Sequence, residues 1–155
     1  MYDTQKDLLD ALRASPTVFE ALLHDCTQEQ AQTARGGDEG WSVVEVVCHL
    51  RDAEERALER TRAMRDQLNP FIAGYDQEVW ARERDYASAN LGEALAAFLQ
   101  FRAERTDELA GLDDGDWERT GQHEELGRIT ISGQTAHMLS HDFAHAAQIA
   151  RQLAV

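Results

Sequence analysis

Cysteine is nearly missing from this sequence: Cys26 and Cys48 are the two copies in 155 residues. Two thiols are too few for a disulfide framework, so ordinary packing in a reducing compartment is expected. Long apolar runs are missing as well. The longest stretches are a few residues, against the roughly 20 needed to cross a bilayer, so no membrane partner is expected. The opening Met1-Tyr2-Asp3-Thr4-Gln5-Lys6-Asp7 has neither the basic region nor the apolar run of a signal peptide, which makes the expected location cytoplasmic. Positive charge is scarce: 15 basic against 29 acidic residues give a net charge of −14. A field of that sign repels phosphate backbones and argues against nucleic acid as a partner. The densest basic stretch, Arg51 to Arg65, is diluted by Asp52, Glu54, Glu55 and Glu59 and reads as a solvated helix face. Internal repeats and low-complexity segments are absent.

What remains is an ordinary globular composition, 43% hydrophobic and 28% charged, in a length that fits a single domain over residues 1–155. Helical periodicity dominates and strand alternation is scarce. A first helix is expected from about Thr4 to Cys26, with Leu8, Leu9, Leu12, Val18, Phe19, Leu22 and Leu23 as its apolar stripe. Ser15-Pro16 should kink or restart it, because proline cannot donate the helical hydrogen bond. After a polar loop from Thr33 to Gly40, a second helix should start at Ser42, where Glu45 completes a capping box, and should stop before Asn69-Pro70. Its core stripe reads Val43, Val46, Leu50, Ala53, Ala57, Met64 and Leu68. A mixed connection, with a short helix around Gln77 to Arg84, leads to a third helix capped by Ser88 or Asn90. Residues Gly111 to Ile129 read as a long polar loop, and a fourth helix should run from Thr130 or Ser132 to about Leu153. The fold class is therefore all-α, a four-helix bundle with long inter-helix connections.

Three of the six histidines share one motif, His137-x-x-x-His141-x-x-x-His145. At about 100° per residue the three fall within an arc of about 80°, on the shoulder of the stripe Ile131, Met138, Leu139, Ala146, Ile149 and Leu153. Imidazoles four residues apart can share a metal ion, and the neutral ring offers its lone pair near pH 7. His49 sits on the corresponding shoulder of the second helix. Glu45 and Asp52 lie one turn from it and are candidates to orient its ring. A histidine on a helix shoulder is commonly just a packed side chain, so it is the spaced set that carries the metal reading. His24 and His123 have no such company, and Cys48 points about 100° away from His49. The absence of a Glu-x-x-His pair argues against a carboxylate-bridged di-iron centre.

Two segments resemble the DinB-like proteins. Gly40-Trp41-Ser42-Val43-Val44-Glu45-Val46-Val47-Cys48-His49-Leu50 is similar to the start of their second helix, and His137 to Ile149, with His141-x-x-x-His145 leading into Gln148-Ile149, is similar to their last. Gly127-Arg128-Ile129-Thr130 is similar to the turn that opens it. The resemblance implies a four-helix bundle, often a homodimer, with a divalent metal on His49, His141 and His145. His137, Glu45, Asp52 and Gln148 are then ring-orienting or pocket residues. It also implies thiol-dependent transferases using bacillithiol, mycothiol or glutathione, alongside members without a known reaction. A three-histidine site suits zinc and also nickel or iron, and leaves a position for water or thiolate. The function expected is that of a metal-dependent thiol S-transferase or related hydrolase, acting on a small molecule and a low-molecular-weight thiol. A metal- or ligand-binding stress-response protein without turnover is the alternative. For a general base, Glu45, Asp52, Asp142 and His137 stand equal.

Overall fold

The computed structural model describes residues 1–154. Four long helices form the bundle: α1 (Thr4–Leu23), α3 (Val43–Asp66), α5 (Leu91–Ala110) and α6 (Ile131–Leu153), with short helices α2 (Gln28–Thr33) and α4 (Gln77–Glu83) in the connections. α3 packs along α5 and α6, and α1 packs along the same two, so α1 and α3 stand on opposite corners. The capping box expected at the start of α3 is present: Ser42 accepts from the Glu45 amide while the Glu45 carboxylate accepts from the Ser42 amide. Asn90 rather than Ser88 caps α5, and Thr130 caps α6.

α1 runs through Pro16 without a restart. Proline at that position removes the amide that would bond the carbonyl of Leu12 one turn back. The side chain of Arg102, buried between the helices, donates to that carbonyl instead, at 3.1 Å. A tertiary contact thus supplies the hydrogen bond that the sequence withholds, and the helix continues.

The loops hold more structure than their composition suggests. The Thr33–Gly40 segment carries β1 (Arg35–Gly36), which pairs with β2 (Trp41–Ser42) just beyond it in a two-residue ladder. The expected polar loop from Gly111 to Ile129 instead carries a 3-10 turn (Asp114–Glu118) and a hairpin of β4 (Thr120–His123) and β5 (Gly127–Thr130). β3 (Phe71–Ile72) adds to β4 in parallel. This small sheet lies on α3 and α6. At Gly121 a Cβ would fall 2.9 Å from Ile72 and 3.1 Å from Met64, so only glycine lets the hairpin approach so closely. Trp117, within that expected polar loop, is buried with Leu12, Met64, Leu109, Ile131 and Leu139.

The core stripes hold with two exceptions: Leu68 lies beyond α3 and is exposed, and Val18 is 45% exposed on α1. The reading of Arg51 to Arg65 as a solvated face fails at Asp52 and Glu54, which are buried. Glu54 receives hydrogen bonds from Arg105 at 2.6 Å and from Arg102 at 3.0 Å, and Arg102 also reaches Asp142 at 2.9 Å. Ser15 of α1 closes the network by donating to Asp142 at 2.7 Å. A charged cluster therefore ties all four long helices together in the middle of the bundle.

Candidate metal centre and its cavity

α3 and α6 run side by side and bring their histidine shoulders face to face. The Nε2 atoms of His49 and His141 stand 2.8 Å apart. The ring of His145 lies 4.4 Å from that of His141 and 5.0 Å from that of His49, centre to centre. One ring nitrogen from each of the three lies within 4.8 Å of the others. Two nitrogens bound to tetrahedral zinc stand about 3.3 Å apart. The rings already converge to that scale, and the donor set, three imidazoles without carboxylate or thiolate, fits a divalent ion.

The local environment favours the neutral form of His49 and His141. His49 is buried against Trp41, with ring centres 5.2 Å apart. Burial and the neighbouring His145 push its pKa down to about 4. His141 is pushed down to about 2 by burial and by His145 and His49. Neutral imidazoles keep a lone pair for a ligand at pH 7. His145 is oriented by Gln148: its Nδ1–H donates to the amide oxygen at 2.8 Å, which turns Nε2 toward the cluster. The Nδ1 atoms of His49 and His141 are buried and have no hydrogen-bond partner among the described residues.

The other candidates separate cleanly. Glu45 is held by the α3 cap and by Arg35 at 3.1 Å, and does not reach His49. Asp52 accepts from Arg51 at 2.8 Å, from Arg84 at 2.9 Å and from the Tyr86 hydroxyl. It anchors the connection between α4 and α5 and leaves the His49 ring alone. Asp142 points about 100° away from His141 around α6 and belongs to the Arg102 network. Gln148 is the one orienting residue that the structure brings to a ring, and His137 is the one general-base candidate that reaches the cavity. Cys48 is buried in the main core, where desolvation pushes its thiol up to about 11.

A cavity of about 210 Å³ opens beside the cluster between α3 and α6. His49, His141 and His137 form one wall, and Arg60, Tyr75 and His123 are among the residues that complete it. The ring of His137 lies 6.5 Å from that of His141. His123, which the sequence left without a role, enters from β4; nothing in its local sequence marks it, because its place depends on the hairpin.

The sequence profile of the DinB superfamily matches residues 11–149. A protein of Oceanobacillus iheyensis, provisionally named a metal-dependent hydrolase, is 30% identical over 135 residues, covering 86% of this chain and 77% of its own. YfiT of Bacillus subtilis, which carries the same provisional name, is 26% identical over 147 residues, covering 94% of this chain and 82% of its own. The solved structure of YfiT, described as a four-helix bundle of unusual topology, superposes with a TM-score of 0.86 at 23% identity, covering 97% of this chain and 87% of that one. With a profile match across most of its length, the chain belongs to the DinB superfamily.

Proposed function

We propose that the chain is a metal-dependent enzyme, a thiol S-transferase or a related hydrolase, that holds one divalent ion, zinc in the first instance, on His49, His141 and His145. The observation that carries this reading is the convergence of three imidazoles from two helices beside an open cavity. The provisional naming of relatives as metal-dependent hydrolases supports it. An ion bound by three imidazoles lowers the pKa of a water or thiol in its open position to near neutrality. Gln148 fixes the tautomer and direction of His145. With an ion bound, His137, exposed on the cavity wall, would be the residue to take a proton from the nucleophile and return it to the leaving group. Cys48 is no nucleophile, because its buried thiol stays protonated.

The test begins with metal content after purification without a histidine tag. His49→Ala, His141→Ala and His145→Ala should each lose most of the ion, Gln148→Leu should bind it about 10–100-fold more weakly, and His24→Ala and His123→Ala should retain it. Equal metal in all variants would end the three-histidine reading. Adding a small thiol to cobalt-substituted protein should then bring sulfur-to-metal charge-transfer absorption; an unchanged spectrum at saturating thiol sinks the transferase and leaves water as the nucleophile.

A further inference from the structure

Cations are the scarce charge in this chain, and most of them are paired with carboxylates. Among the described residues, four arginines have no carboxylate oxygen within 4.0 Å: Arg60, Arg82, Arg128 and Arg151. The last three are exposed on the surface, whereas Arg60 is half-buried in the cavity wall. One of its terminal nitrogens donates to the carbonyl of Ala73 at 3.0 Å, and its Nε–H is buried with no partner among the described residues. The guanidinium stands 6.0 Å from the centre of the Tyr75 ring. Burying a charged group with an unused donor is costly unless something else completes it.

A second donor faces the same space. His123 Nδ1 accepts from the amides of Glu125 and Leu126, at 3.1 and 3.2 Å. A neutral imidazole whose Nδ1 accepts must carry its hydrogen on Nε2. That Nε2–H has no partner among the described residues, although the ring is 5% exposed and lines the cavity. Glu125 lies on the same wall with the opposing charge, but it is exposed, where water and salt screen it.

We propose that Arg60 and His123 form the subsite for a carboxylate on the substrate, whose reacting end lies at the histidine cluster. The proposal rests on the metal-site reading for the reacting end and on the cavity for the rest. A guanidinium offers paired N–H groups that match the two oxygens of a carboxylate, and a neutral imidazole N–H adds a third donor. The placement also sets a length. Arg60 follows His49 by eleven residues, about 16 Å along α3, and its side chain leans back toward the helix start, leaving a span of roughly 10 Å. A four-carbon mercapto acid covers that span with a contact at each end.

The experiment compares 4-mercaptobutyrate with its neutral isostere 4-mercaptobutyramide on zinc-loaded protein by titration calorimetry. The acid should bind the wild type at least about tenfold more tightly than the amide. In Arg60→Met that preference should fall below about twofold while the affinity for the amide stays put. Arg60→Lys should keep part of the preference, and His123→Leu should lower it about threefold. Equal affinity for the two thiols in the wild type, or a preference that survives Arg60→Met, overturns the subsite. If the protein holds no metal or the thiols do not reach it, the metal-site reading fails separately. Butyrate added to metal-free protein then decides: it should shift the Arg60 Nε–H resonance in wild type and do nothing in His49→Ala that it does not do in wild type. An unmoved Arg60 resonance ends the proposal.

Discussion

Replacing Arg102 by methionine should be among the most damaging single changes in this protein that leave the histidines untouched. Arg102 is 2% exposed and donates to Glu54, Asp142, Ser15 and the Leu12 carbonyl. Methionine fills much of the volume but removes every donor. Glu54, fully buried, keeps Arg105; burial pushes its carboxyl up, but Arg105 and Arg102 together hold it below the usual value. Asp142 keeps only Ser15, and burial already pushes its carboxyl up with Arg102 in place. Removing one partner from a buried ionic cluster costs about 3–5 kcal/mol, and the stranded Leu12 carbonyl adds about 1–3 kcal/mol. Against a total stability of about 5–15 kcal/mol, the variant should unfold at a far lower urea concentration than the wild type. The loss should also depend on pH in a set direction. With its folded pKa raised further above the unfolded 3.8, Asp142 takes up a proton in the native state first, so the deficit should narrow as pH falls from 8 to 5. Paired urea titrations at the two pH values measure this. A deficit below about 1 kcal/mol at pH 8, or one that widens toward pH 5, would refute the reasoning.

Two further outcomes follow from the same surroundings. Metal-free protein should lose stability as pH drops from 6.5 to about 4, because the unfolded chain protonates His49 while the folded chain refuses it. Between pH 7 and pH 5 this amounts to about 2 kcal/mol from that ring alone, read from urea midpoints, and a flat profile would contradict the buried neutral ring. With a thiol reagent at pH 8, the half-buried Cys26 should react in the native protein and Cys48 only on unfolding, since burial holds Cys48 at about 11; rapid native labelling of two thiols would contradict it.

The four long helices were legible because each carries its own stripe and caps. Ser42 with Glu45, Asn90 and Thr130 mark helix starts through local chemistry alone. The hairpin of β4 and β5 was not legible. Its inward positions are Gly121 and His123, so the burial alternates while the hydrophobicity does not. Pro16 misled for a related reason, since a local rule predicts a break and the missing hydrogen bond is replaced from another helix. Arg102 and Arg105 sit in line with Phe98 and Leu109 on the buried face of α5, and Glu54 sits in line with Leu50 on α3. Charges of opposite sign at core-period positions on two helices were the available signal for the buried network.

The site divides along the same line between local and tertiary information. His49, His141 and His145 could be read because their spacing fixes direction within a helix, and a shoulder position faces the neighbouring helix whichever helix that is. Their orienting partners could not be read from nearness in sequence. Glu45 and Asp52 are one turn from His49, yet each is claimed by stronger donors: a cap and Arg35 for the first, Arg51, Arg84 and Tyr86 for the second. In a chain with twice as many acids as bases, a carboxylate goes where an arginine or an unpaired amide waits rather than to a neutral ring. The same competition explains why Arg60 matters. With acids in such excess, a half-buried arginine without a carboxylate is held out of reach of them by the cavity it lines, and the partner that its geometry fits must arrive from solution.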